Sequence, residues 1–127
     1  MNRDINEVSG AVVDAAMRVH SALGAGLLES ACEGCLVHEL RKRGHAAEAQ
    51  AILPVEYDGV HIDVGYRVDL LVDDAVIVEL KAVNALAPIH EAQLLTYLKL
   101  SGKKVGLLIN FNVLHLKDGI KRMVNRL

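Results

Sequence analysis

The stretch Tyr66-Arg67-Val68-Asp69-Leu70-Leu71-Val72-Asp73-Asp74-Ala75-Val76-Ile77-Val78-Glu79-Leu80-Lys81-Ala82-Val83 reads as two β-rich runs folded back on each other across Asp73-Asp74. Asp69 interrupts the first run, and Glu79 and Lys81 interrupt the second. Charges inside apolar runs are informative, because burying an unpaired charge costs several kcal/mol. Alternate residues of a strand share a face, so Glu79 and Lys81 are neighbours. Directly opposed residues of an antiparallel pair also share a face. Asp69 therefore joins Glu79 only if paired positions sum to an even number, which requires an odd turn such as Asp73 to Ala75. A two-residue Asp73-Asp74 turn would put Asp69 on the opposite face, barring a bulge.

Outward from this hairpin, Ala51 to Glu56 and Val60 to Val64 are two further β-rich runs, with Asp58-Gly59 and Gly65 as the turns that complete an antiparallel meander. Upstream, Ile5, Val8, Val12, Ala15, Val19 and Leu23 recur at helical spacing, and Gly24-Ala25-Gly26 ends that helix. A second helix is predicted from Leu28 to Arg43, its stripe formed by Leu28, Ala31, Cys32, Cys35, Leu36 and Leu40 and its stop by Gly44. Downstream, Pro88 suits a first helical turn, and Ile89, Ala92, Leu95 and Leu98 give a third helix ending at Ser101-Gly102. Val105 to Asn110 is a short, continuously apolar run and reads as a strand buried on both faces. Ile120 to Val124 is read as a closing strand, with a short helix as the alternative. The order predicts an α/β or α+β sandwich in one domain, residues 1–127, without repeats or linkers.

Composition narrows the class further. Hydrophobic residues make up 52% and Gly plus Pro only 12 of 127, which excludes disorder and collagen-like arrays. Val105 to Phe111, the longest uncharged apolar run, is far short of the ~20 residues that cross a bilayer, so no membrane partner is expected. Arg3, Asp4 and Glu7 occupy the place of a signal's apolar block, which gives a cytoplasmic expectation. Residues 1–98 carry 7 basic and 15 acidic groups, whereas residues 99–127 carry 7 basic groups against Asp118 alone. Such a tail faces a polyanion or forms an ordinary solvated edge.

Asp69, Glu79 and Lys81 on one sheet face suit one chemistry above others. Two carboxylates hold a hard divalent cation, Mg²⁺ or Mn²⁺, and the ammonium positions water and offsets phosphate charge. Phosphodiester hydrolysis needs that combination, because the polyanionic substrate otherwise repels its nucleophile. The competing reading is a structural ion pair of Asp69 or Glu79 with Lys81 or Arg67. Glu29 opens the second helix, where the dipole favours a carboxylate. It also shares the stripe of Cys32, Leu36 and Leu40, which would start its side chain on the buried side as a third acid. On the third helix Gln93 and Tyr97 stack on one face, with His90 a turn before Gln93. They either orient the lysine or water, or form a polar flank.

Asp69, nine intervening residues and Glu79-Leu80-Lys81 resemble the PD-(D/E)xK nuclease signature, and Gln93-Leu94-Leu95-Thr96-Tyr97 resembles the QxxxY element of its RecB-like branch. Gly26-Leu27-Leu28-Glu29, Gly65 to Val72, Val78 to Val83, His90 to Lys99 and Gly106 to Phe111 together resemble the small bacterial GxxExxY proteins. The resemblance implies a restriction-endonuclease-like core, a mixed central sheet flanked by helices. It also implies metal ligation by Asp69, Glu79 and the Leu80 carbonyl, with Lys81, Glu29, Gln93 and Tyr97 as catalytic residues. The family's Tyr, three residues after its Glu, is Cys32 here, which removes a phenol from beside Glu29.

These residues predict a metal-dependent nuclease acting on nucleic acid, DNA ahead of RNA. A catalytically silent binding or regulatory module and a small-molecule phosphohydrolase are the alternatives. An aromatic content of 3% gives little support to a single-strand binder built on stacked bases. Zinc on Cys32, Cys35 and His38 is disfavoured, since Cys32 and His38 differ by about 240° around a helix. A core this small leaves little room for a specificity domain, so a homodimer or another partner is expected to help select substrate. The apolar fraction is compatible with a buried self-interface.

Overall fold

The computed structural model describes residues 3–126. Its elements are α1 (Ile5–Leu23), α2 (Glu29–Lys42), β1 (Ala47–Tyr57), β2 (Val60–Val72), β3 (Val76–Lys81), α3 (Pro88–Ser101), β4 (Val105–Asn110) and β5 (Ile120–Val124), with a 3₁₀ turn at Leu116–Gly119. The helix ends follow from local chemistry. Asp4 caps α1 through its carboxylate, which accepts from the Asn6 and Glu7 amides. Gly102 takes the left-handed conformation that closes α3.

The five strands form one mixed sheet in the order β1-β2-β3-β4-β5. Strands β1, β2 and β3 are an antiparallel meander, β3 and β4 are parallel across α3, and β5 returns antiparallel to β4. This is the mixed sheet flanked by helices that the resemblance implies. One predicted turn is absent: β2 runs unbroken through Gly65. That glycine serves close approach instead, because a Cβ there would collide with Ile52 and the Leu53 carbonyl where β1 shifts register between Leu53 and Val55.

Alternation divides the core between two faces. Cys32, Leu36 and Leu40 of α2 and the α1 stripe pack on Leu70, Val72, Val76, Val78, Leu80, Val105, Leu107 and Ile109. On the other face Leu94 and Leu98 of α3 cover Leu71, Ile77 and Leu108. Every residue of β4 is buried, as its apolar run predicts. Three cations of the basic tail are engaged by other segments. Lys103 pairs with Asp74 at 3.1 Å, Lys121 lies 3.9 Å from Glu91, and Arg122 donates to Asn6 at 2.6 Å. No helix among the described residues is long and apolar enough to cross a membrane.

Candidate active site

The β2–β3 pairs Leu70↔Val78, Leu71↔Ile77 and Val72↔Val76 sum to an even number, so the turn is the three residues Asp73 to Ala75. Ile77 faces α3, and so do Glu79 and Lys81, two and four residues on. Asp69 is brought to the same place. Its Oδ2 accepts the Leu80 amide at 2.8 Å, and its own amide donates to Glu79 Oε2 at 3.3 Å. Carboxylates thus take over from the main-chain partners where the paired ladder stops at Leu70↔Val78.

Regular alternation fails at this point. Leu70 and Val72 belong to the α1/α2 core, yet Val68 packs with Ala51, Leu53 and the α3 leucines. Opposite Asp69, Gln50 of β1 has φ +53°, and the Gln50/Asp69 pair is missing between Ala49↔Leu70 and Ala51↔Val68. Tyr66, Val68 and Asp69 therefore all reach the α3 side. A local break in a strand re-aims side chains in this way.

Electrostatics marks Glu79 within the pair. Burial and the adjacent Asp69 carboxylate push its pKa up to about 9, against partial relief from the Asp69 amide and the Lys81 charge. No carboxylate–cation contact within 4.0 Å involves Asp69, Glu79, Lys81 or Arg67 among the described residues. The structural ion pair that would have neutralised these charges is absent there. Burial, then the Glu79, Tyr66 and Asp69 charges, raise the Tyr97 phenol, which lies on the sheet face that α3 covers. The Tyr97 ring also packs on Tyr66, with centroids 4.9 Å apart and planes at 42°.

Lys81 ends β3 opposite Asn110, and its carbonyl accepts the Phe111 amide at 2.9 Å. Asn110, 1% exposed, fixes the chain just beyond. Its Oδ1 accepts the Val83 and Asn112 amides at 3.1 and 3.2 Å, and its Nδ2 donates to the Val83 carbonyl at 2.9 Å. The apolar run that predicts β4 gives no sign of this role. Gln93 is exposed one turn nearer the start of α3 than half-buried Tyr97. His90 is a helix cap, its Nδ1 accepting the Ala87 amide at 3.0 Å.

Glu29 is exposed, not turned to the buried side as its stripe predicts, because burial along α2 begins at Cys32, one turn later. The α2 carboxylate tied to the site is Glu33, which accepts from Gln50 Nε2 at 2.7 Å while that nitrogen lies 3.5 Å from Asp69 Oδ1. Glu33 lies four residues beyond Glu29, a helical neighbour that the motif spacing passes over. No group of three or more His, Cys, Asp or Glu is placed to hold a metal among the described residues. Cys32 is buried and its thiol is pushed up to about 11 chiefly by burial, which suits packing rather than ligation.

Residues 6–123 match the PD-(D/E)XK nuclease superfamily, with Asp69 and Glu79-Leu80-Lys81 inside the matched range. The chain belongs to that superfamily. SSO0001 has a similar solved structure, with 19% identity and TM-score 0.50, covering 93% of this chain and 57% of that one. An alkaline exonuclease (LHK-Exo) from Laribacter hongkongensis aligns with 13% identity and TM-score 0.49, covering 98% of this chain and 60% of that one. The chain thus spans about three fifths of each, and the likeness to SSO0001 concerns the fold. No curated protein matches it. PD-(D/E)XK nucleases generally use divalent metals. The donor set here fits such an ion, being two facing carboxylates of which one is driven to keep its proton.

Proposed function

We propose that this PD-(D/E)XK protein hydrolyses phosphodiester bonds in nucleic acid, and that it belongs to the GxxExxY branch. The observation that carries the reading is the Asp69–Glu79 pair, gathered from two strands without a cationic partner within 4.0 Å among the described residues. Asp69, Glu79 and the Leu80 carbonyl would hold Mg²⁺ or Mn²⁺. When bound, the ion polarises the phosphate and lowers the pKa of water.

The chain's own residues do the rest. Glu79 would have to be ionised to serve as a ligand, and Asp69 keeps the Leu80 peptide in place through the bond already present. Lys81, held at the end of β3, presents its ammonium to the attacking water and the scissile phosphate. Tyr97 and Gln93 offer a hydroxyl and an amide from α3 to the phosphate oxygens. Glu29 is assigned a peripheral acid role, so Glu29→Gln should cost less activity than Asp69→Asn. A second copy or another partner supplies further substrate-gripping surface.

Purified protein should cleave at least one of single-stranded DNA, double-stranded DNA and RNA with Mg²⁺ or Mn²⁺, and not in EDTA. Lys81→Ala and Asp69→Asn should each lower the rate by about 10²-fold or more, the scale for losing a positioned catalytic group. Cleavage that persists unchanged in both variants would assign the activity elsewhere. A fully inert wild type would leave the silent binding module as the better account.

A further inference from the structure

We propose that Tyr66 is a stacking platform for one unpaired nucleobase, so that the site takes single-stranded segments or frayed ends in preference to intact duplex. This deepens the nuclease reading and rests on its placement of the site.

The break in alternation at Val68–Asp69 puts Tyr66 on the α3 side of β2, three residues from Asp69. Tyr97 packs against it as a tilted ring pair, and 40% of Tyr66 stays exposed. An aromatic surface held by a neighbouring ring and left open about 10 Å along β2 from Asp69 is costly to expose and well placed for a flat apolar ligand. Duplex bases already stack on each other and offer a free face only at ends or distortions, whereas every unpaired base has one. A low aromatic content excludes a long stacking track but not this arrangement, since one base at the cleavage point needs one ring.

The test is fluorescence anisotropy in Ca²⁺ with end-labelled oligonucleotides: a single strand, the matching blunt duplex, and a single strand with abasic central residues. Wild type should bind the normal single strand more tightly than either of the others. Tyr66→Ala should weaken normal single-strand binding by roughly 5- to 150-fold, the span of one base–aromatic stack. It should leave abasic binding unchanged, and Tyr66→Phe should match wild type within about twofold. Equal losses on normal and abasic strands, no loss, or no preference of wild type for bases over abasic sites would overturn the proposal. The wild-type comparison decides the matter even if Tyr66→Ala fails to fold. Parallel cleavage in Mg²⁺ separates the two claims. Tyr66-dependent binding without cleavage removes the nuclease reading and keeps the stack, and cleavage indifferent to Tyr66 does the reverse.

Discussion

Glu79 is a carboxylate held at odds with its surroundings. Its pKa of about 9 lies above the ordinary 4.5, so the folded chain retains a proton that the unfolded chain releases. Metal-free stability should therefore fall as pH rises from about 4.5 to about 9. Glu79→Gln removes that dependence. Thermal melts in EDTA should show the variant level with wild type near pH 4 and increasingly more stable toward pH 9; a variant less stable at pH 8 would contradict this. Asn110 behaves oppositely, as a buried polar residue whose bonds are made. Asn110→Ala strands the Val83 and Asn112 amides and should cost about 2 kcal/mol in urea unfolding, with faster hydrogen exchange at Val83.

Among the elements, Gly65 is set by packing rather than by turning. Gly65→Ala meets Ile52 and the Leu53 carbonyl and should destabilise by about 1–3 kcal/mol. Adding Ile52→Ala should recover part of that, since Ile52 is itself exposed. The two readings of Gly65 show where sequence patterns stop. Local signals sufficed for α1, α3 and β4, whose periodicity, first-turn Pro88 and unbroken apolar run depend on near neighbours. Parity alone narrowed the Asp69–Glu79 question to the length of one turn. The reversal of faces at Val68–Asp69 was not legible, because it depends on a left-handed Gln50 across the sheet. Glu33 and Asn110 were hidden for the same reason, their partners being distant in sequence.

Across the molecule, Asp73 joins three segments. Its carboxylate takes His45 Nδ1 at 2.7 Å, the Ala46 amide at 2.8 Å and Arg3 at 3.1 Å, tying the chain before α1 and the α2–β1 connection to the β2–β3 turn. Those partners outweigh burial and hold its pKa below the usual 3.8. The stability they contribute is present above about pH 4 and is lost as pH falls below it. Asp73→Asn should cost roughly 1–2 kcal/mol at pH 7 and flatten the acid limb, read from urea melts between pH 3 and 7. This anchor lies at the end of the sheet remote from Lys81, so the variant should keep its metal affinity.

Whether β2 and β3 present one cation site is read from a Mn²⁺-soaked crystal by anomalous diffraction. A single strong peak should bridge the carboxylates of Asp69 and Glu79 and be lost in Asp69→Asn. A map without density there, or with manganese bound only at other acids, would contradict it.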